Sequence, residues 1–324
     1  MSLSEWKVPR AVQPRPEDYR FDLDRALSSV VSVSAIVPSD AFTAETLGTE
    51  RAGNGVIIRE TGLILTIGYL VTEAQSVWLS LNDGRVVPGD VLAIDQETGF
   101  GLIQALSRPN LPAMPLGRSA ATEVGNRVVL AGGGGRARSV AARIVAKQEF
   151  AGYWEYLLEE AIFTAPGHPN WGGTALIGEA GELLGIGSLQ LQQERGGTRS
   201  EQVNMIVPID LLPPVLDDLL TRGRRNNPAR PWLGFFAAEI DNRVAVAGIA
   251  SGGPAEKAGL QPGDIILAVA GEEAQDLASL FRLIWGRGPA GVEVPLRILR
   301  GGGAAEVTVR SVDRNTLLKK PRLH

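Results

Sequence analysis

The chain contains no cysteine, so disulfide cross-links, thiolate zinc sites and cysteine nucleophiles are all excluded. Redox compartment is left open by that absence, because a cysteine-free chain tolerates either environment. Histidine is almost as scarce, with only His168 and the terminal His324. A histidine-rich metal centre is therefore excluded, no metal site or cofactor is expected, and any imidazole general base has to be His168. Apolar runs of the roughly 18 residues that a membrane span requires are also missing. The opening MSLSEWKVPRAVQPRPEDYRF has Lys7 and Arg10 but no apolar stretch behind them, so no signal peptide is read there. As written the chain reads as cytoplasmic, or as periplasmic if a signal has been removed. Neither charge sign dominates, with 32 basic and 36 acidic side chains and a formal net charge of −4. That balance gives no reason to expect a nucleic-acid partner. The local cluster Arg222, Arg224, Arg225 and Arg230 reads as a solvated linker.

What is abundant is glycine, 39 of 324 residues or about 12% against a background of roughly 7%. That favours a fold with many tight turns. After a proline- and charge-rich arm over 1–25, short apolar stretches alternate with turns, as in ALSSVVSVSAIV, GVIIRE, LILTIGYLV and NRVVLAGG. Ser76 to Leu81 nearly alternates, and Asn82-Asp83-Gly84-Arg85 signals a hairpin. Strands at this spacing predict an all-β sandwich or barrel over 26–220. Ile209 to Leu220 reads as a helix with Pro213 and Pro214 in its first turn and Leu216, Leu219 and Leu220 on its apolar face. A polar, proline-bearing linker follows over 221–231. A last domain over 232–313 orders strand, strand, short helix, strand, amphipathic helix and two strands, and a tail over 314–324 ends the chain.

Ser251 to Gly271, SGGPAEKAGLQPGDIILAVAG, resembles the core of a PDZ domain of the kind found in bacterial proteases. Upstream, GNGVII, GLILT, LNDGRVVPGDVLAIDQETG, VGNRVVLAGG, GELLGIGS and NMIVPID occur in the order seen in the HtrA family of trypsin-like serine proteases, which the chain resembles over nearly all of 26–230. The resemblance implies a mainly β fold: two six-stranded β-barrels with a cleft between them, then one PDZ domain. It also implies a homotrimer held by arm aromatics, here Tyr19 and Phe21. An arm packed on its own barrel is the alternative.

A serine protease needs a hydroxyl nucleophile, an imidazole, an orienting carboxylate and backbone donors for the oxyanion. Each has an address in the family's motifs. Where an imidazole is expected, Leu65-Thr66-Ile67-Gly68-Tyr69 supplies a phenol, whose single polar atom cannot both bond a carboxylate and take a proton. Where the carboxylate is expected, Asp95-Gln96-Glu97-Thr98-Gly99 supplies glycine, and the nearby Asp95 and Glu97 are not aimed at the same point. Where the nucleophile is expected, Pro169-Asn170-Trp171-Gly172-Gly173 supplies an indole, a donor with no nucleophilic oxygen. Pro169 also removes the N–H of the first oxyanion donor, a loss that alone costs on the order of a hundred- to thousandfold in rate. The resemblance thus implies a catalytically inactive family member.

Relocated groups are the alternative. His168, three residues from Trp171, reads as a surface residue, and Lys147, the only lysine between 26 and 220, reads as solvent-facing on a strand. Thr174 and Ser188 have hydroxyls but no visible base. The run Gly132 to Gly135 with Arg136 and Arg138 reads as a loop between strands, not an anion site. Tyr153-Trp154-Glu155-Tyr156 reads as a strand packed on the barrel. The expected function rests instead on the last domain. PDZ domains take an extended peptide as an added strand and capture its terminal carboxylate on a loop of backbone N–H groups. Trp232-Leu233-Gly234-Phe235 resembles that loop, Phe235 and Phe236 begin the receiving strand, and the helix from Asp276 to Trp285 forms the opposite wall. The sequence therefore reads as a non-catalytic, peptide-binding protein, an adaptor, chaperone or regulatory subunit whose partners are peptide or protein C-termini.

Overall fold

The computed structural model describes residues 7–195 and 199–319, and they fall into two compact units. Of these residues, the first unit comprises 7–148, 160–195, 199–225 and 319; the second comprises 149–159 and 226–318.

In the first unit, β1 (Val30–Ile36), β2 (Glu50–Arg59), β3 (Leu63–Ile67), β4 (Ser76–Ser80), β5 (Val86–Ile94) and β6 (Phe100–Ala105) close a barrel in the order β1-β2-β3-β6-β5-β4. A second barrel is formed by β7 (Arg127–Ala131), β8 (Ser139–Gly152), β9 (Tyr156–Ala165), β10 (Ala175–Ile177), β11 (Leu183–Arg195) and β12 (Arg199–Pro208), in the order β10-β11-β12-β9-β8-β7. Alternation builds them: in β4, Val77 and Leu79 are buried while Trp78 and Ser80 face out. Asn82 to Arg85 turns β4 into β5, with Leu81 N–H donating to the Arg85 carbonyl. Gly55 of β2 lies where a Cβ would come within 2.7 Å of Ile64.

Short helices α1 (Leu23–Ser28) and α2 (Ala44–Leu47) flank the first barrel's strands in sequence. The helix expected from Ile209 begins later: a 3-10 turn covers Ile209–Leu211, and α3 spans Pro213–Arg222, with Pro213 at its start and Gly223 ending it at φ +69°. Its buried side is Leu212, Val215 and Leu219, whereas Leu216 and Leu220 are only half-buried. The later start shifts the inward face by about one residue. The arm packs on its own unit: Val8 is buried with Val128, Leu130 and Val140, and Tyr19 lies beneath Arg127 at 5.9 Å, with Phe21 5.4 Å away. One of the arginines expected to be solvated is not: Arg225 closes on Asp95 at 2.7 Å, because its guanidinium has a carboxylate to meet. Arg230 stays exposed, with its guanidinium over the Trp285 ring at 4.3 Å.

The second unit holds β13 (Phe235–Ile240), β14 (Arg243–Ile249), α4 (Pro254–Lys257), β15 (Ile265–Val269), β16 (Glu272–Glu273), α5 (Leu277–Trp285), β17 (Glu293–Arg300) and β18 (Gly303–Arg310). The sheet runs β13-β14-β15-β17-β18, with β16 paired to β15. Asp276 caps α5 through a reciprocal box with Ser279, and Leu280, Phe281 and Ile284 enter the core with Leu233, Phe235 and Ile298. Each such large side chain removed from water contributes about 1.5–3 kcal/mol. Among the described residues no helix is long and apolar enough to cross a membrane, and no group of three or more His, Asp or Glu side chains is placed to hold a metal.

Candidate functional site

The first site lies in the barrel unit, where three chain segments meet. A 3-10 turn, Gly68–Leu70, follows β3 and presents Tyr69. The phenol donates to the Ser188 carbonyl at 2.9 Å and bonds the Trp171 side chain; since indole can only donate, the phenol oxygen is the acceptor. Ser188 is where the β11–β12 register shifts, between Gly187 and Leu189. Its carbonyl has thus left the ladder, and Tyr69 satisfies it. Burial pushes the phenol far above its ordinary range, although the bond from Trp171 works the other way. It cannot ionise near neutrality and so offers neither base nor nucleophile.

Gly99 presents no side chain. Its backbone sits at φ +80°, its N–H donates to the Asp95 carbonyl, and its own carbonyl accepts from Gly68 N–H at 2.6 Å. Asp95 and Glu97 are both committed to Arg225, at 2.7 and 3.4 Å. Burial would raise the Asp95 pKa, but the bonds from Arg225 and Thr98 outweigh it and hold the carboxyl below its usual range.

The loop carrying Pro169 and Trp171 is braced by Asn54. Asn54 N–H and Nδ2 reach the Gly172 carbonyl at 2.8 and 3.0 Å, and Nδ2 also reaches the Asn170 carbonyl at 3.0 Å. Gly173 has φ +74°, and a Cβ there would lie 1.8 Å from the Asn54 carbonyl oxygen. The loop needs that glycine for its backbone path, whatever residue occupies position 171. The Asn54 carbonyl also accepts from Thr66 Oγ1, while its Oδ1 accepts from Gly133 N–H. Gly134 N–H goes to Asn82 Oδ1, so the amides of the Gly132–Gly135 loop serve the fold.

His168 is not at the surface: it is fully buried. Its Nδ1 accepts from Asn170 N–H at 3.1 Å, and its Nε2 lies 2.9 Å from the Arg138 carbonyl, so Nε2 carries the proton. Burial, opposed by these bonds, lowers its pKa. With both nitrogens engaged it holds the loop in place. Lys147 is likewise largely buried at its side chain, paired with Glu160 at 3.1 Å and donating to the Ser119 and Thr122 carbonyls. Thr174 Oγ1 donates to the Trp171 carbonyl at 2.9 Å.

The second site lies in the other unit. Trp232 pairs with Val312, each N–H donating to the other's carbonyl at 3.1 Å. The Leu233 carbonyl is tied to Ala255 N–H and the Gly234 carbonyl to Ala250 N–H. Those ties leave the amides of Leu233, Gly234 and Phe235 free to converge on one point. Gly234 has φ +81°, and a Cβ there would sit 2.9 Å from the Trp232 ring. Phe235 enters the core, and Phe236 is half-buried.

The point of convergence holds the Glu155 carboxylate. Leu233 N–H donates to both its oxygens at 3.2 and 3.0 Å, Gly234 N–H donates at 2.7 Å, and Phe235 N–H adds a third donor. Residues 153–155 are therefore a turn of the second unit, where a strand packed on the barrel was expected. β8 ends at Gly152, and Glu155, at φ +60°, is the last residue of the turn into β9; no Gly or Asn occupies that positive-φ position. Burial pushes its pKa up to about 7, against the pull of the three amides and the charge of Arg314.

Residues 53–186 match the trypsin-like peptidase domain family and residues 231–310 match the PDZ domain family. The chain is 31% identical over 273 residues to a probable periplasmic serine endoprotease, DegP-like, from Halomonas elongata, covering 79% of this chain and 55% of that protein. It is 26% identical over 289 residues to the serine endoprotease DegS of Escherichia coli, covering 83% and 79%. Among solved structures, the HtrA-type protease AlgW with tripeptide aligns at 25% identity and TM-score 0.52, over 93% of this chain and 97% of that one. The chain is homologous to DegP and DegS of the HtrA family. It spans a little over half the length of the first curated relatives it matches. Its HtrA-type barrels bring Tyr69 and Trp171 together, with Gly99 hydrogen-bonded to the base of the Tyr69 turn; its PDZ loop brings Leu233, Gly234 and Phe235 together around a carboxylate. Glu155 is the residue at this loop that sequence reading missed, and its only advance signal was a lone acid amid aromatics.

Proposed function

We propose that this HtrA-family chain is catalytically inactive and works by binding peptide or protein C-termini through its PDZ domain, as an adaptor, chaperone or regulatory subunit. The observation that carries the reading is the convergence of the Leu233, Gly234 and Phe235 amides on a carboxylate. Three preorganised N–H donors beside the start of an extended strand are what recognition of a chain terminus requires. Loss of hydrolysis is supported by the positions matching the family's triad and oxyanion motifs. There, phenol, indole, proline and a bare glycine backbone provide no nucleophile and no base. The alternative of relocated catalytic groups finds no support, since His168 and Lys147 both have their polar atoms bound within the fold.

Two assays test the reading. Purified protein incubated with unfolded casein and a fluorophosphonate probe is expected to give neither cleavage nor labelling; either activity surviving repurification overturns inactivity. A fluorescein-labelled peptide pool with free C-terminal carboxylates is expected to bind, and the same pool amidated is not. The family also suggests a homotrimer held by Tyr19 and Phe21, both half-exposed on the arm; a monomer mass by light scattering removes that part.

A further inference from the structure

The second unit contains a segment remote in sequence from the rest of it, residues 149–159. This segment touches every component of the expected peptide groove. At the loop, Glu155 takes the amides of Leu233, Gly234 and Phe235. Along the receiving strand, Ala237 N–H donates to the Tyr153 carbonyl at 2.9 Å. That is a strand-addition bond two residues back from the carboxylate, on the edge of β13 that does not face β14. On the opposite wall, Arg282 of α5 pairs with Glu159 at 2.6 Å and with Glu149. The Tyr153 ring packs 6.0 Å from that of Phe236.

We propose that residues 149–159 are a built-in ligand of the PDZ groove, with the Glu155 side chain standing in for a terminal carboxylate, so that an incoming C-terminus binds only by displacing them. The proposal rests on the peptide-binding reading above and adds its regulation. Three features favour a displaceable occupant over a permanent part of the core. The Glu155 backbone is held at φ +60°, a conformation that costs a non-glycine residue about 1–2 kcal/mol and is sustained by the bonds its own side chain makes. Tyr153 is 54% exposed, and the tip's bonds to the loop and to β13 are polar contacts that a competing peptide reproduces. Its one main-chain bond to β13 is also of the kind that an added strand makes. The charged groups facing Glu155 are few: Arg314 is the cation whose field it feels, and the remaining partners are neutral amides.

An occupied groove lowers apparent affinity in proportion to the fraction of molecules in which it is open. The test is fluorescence anisotropy of the full chain with the free-carboxylate pool, comparing the unmodified protein with Glu155→Ala and Arg282→Met. Circular dichroism and thermal unfolding verify that each variant is folded. The expected result is binding at least about tenfold tighter to Glu155→Ala, a smaller gain for Arg282→Met, and no binding of the amidated pool to either. Equal, measurable affinity for the unmodified protein and Glu155→Ala overturns the internal ligand while leaving peptide binding intact. No binding to any of the three proteins overturns both readings. Hydrogen exchange supplies a readout independent of any peptide: the Leu233, Gly234 and Phe235 amides are expected to exchange at least about tenfold faster in Glu155→Ala, and unchanged protection overturns the proposal.

Discussion

Replacing Tyr69 by phenylalanine keeps the ring and deletes one oxygen, which makes it a clean test of whether the positions matching the family's catalytic motifs serve the fold. That oxygen donates to the Ser188 carbonyl at 2.9 Å and accepts from the Trp171 indole. Ser188 lies at the register shift of β11, and the residue is 3% exposed. Its carbonyl and the indole N–H both lose a partner in Tyr69→Phe, and an orphaned buried polar group costs about 1–3 kcal/mol. Tyr69 and Trp171 are themselves only half-buried, so water reaches part of the gap and the expected total is about 2 kcal/mol. For a unit of this size that lowers the midpoint of thermal unfolding by about 4–8 °C. The assay is thermal and urea unfolding of Tyr69→Phe, Trp171→Phe and the double variant. Trp171→Phe alone orphans neither carbonyl nor phenol and is expected to cost less. The cycle is expected to give a coupling of about 1 kcal/mol. A Tyr69→Phe cost below about 0.5 kcal/mol, or no coupling, refutes the claim that the two residues satisfy each other.

Three other outcomes follow from the same geometry. Arg225→Met strands Asp95, which is 3% exposed, and is expected to cost about 3 kcal/mol in urea unfolding; because the Asp95 pKa is depressed in the fold, the stability it contributes is present above the ordinary carboxyl pKa and lost as pH falls through its lowered value, so the deficit of the variant should shrink in acid. Restoring the catalytic side chains together, Tyr69→His, Gly99→Asp and Trp171→Ser, is expected to leave casein uncleaved, since Pro169 still lacks an N–H and the aspartate at position 99 is forced to φ +80° at about 1–2 kcal/mol; measurable turnover sinks that account. Glu155 is the opposite case from Asp95: its pKa is raised from 4.5 to about 7, so its contribution to the folded, tip-docked state is fully present below pH 4.5 and lost as pH rises through 7. The swing is at most about 3.4 kcal/mol at 1.36 kcal/mol per unit, and it is read as the pH dependence of the protection factors at the Leu233 and Gly234 amides, absent in Glu155→Gln.

The fold was legible because its determinants are local. Alternation in β4, the Asn82–Arg85 turn and the Asp276 cap each lie within a few residues of what they specify. The motif positions Tyr69, Gly99, Pro169 and Trp171 were likewise assigned from their immediate neighbours in sequence. What could not be read was the fate of polar side chains whose partners are distant in sequence. His168 is buried because Arg138, 30 residues earlier, offers a carbonyl to its ring. Arg225 leaves solvent for Asp95, 130 residues away. Glu155 meets Leu233 across 78 residues, and nothing in Tyr153-Trp154-Glu155-Tyr156 marks a turn, since a glutamate at positive φ is a choice that only a tertiary partner enforces.

The two sites differ in one physical respect that decides between them. At the positions matching the family's triad motifs the polar side chains are engaged within the fold: the indole donates to the phenol, the phenol to a bulged carbonyl, and proline and glycine bring no side-chain donor that needs a partner. In the PDZ loop the arrangement is the reverse. The carbonyls of Leu233 and Gly234 are tied back so that their amides face outward, and only the tip of a remote segment, in a strained backbone conformation, meets them. On the proposed reading, these amides recognise the carboxylate at the end of an extended chain, and Glu155 sets the threshold for its admission.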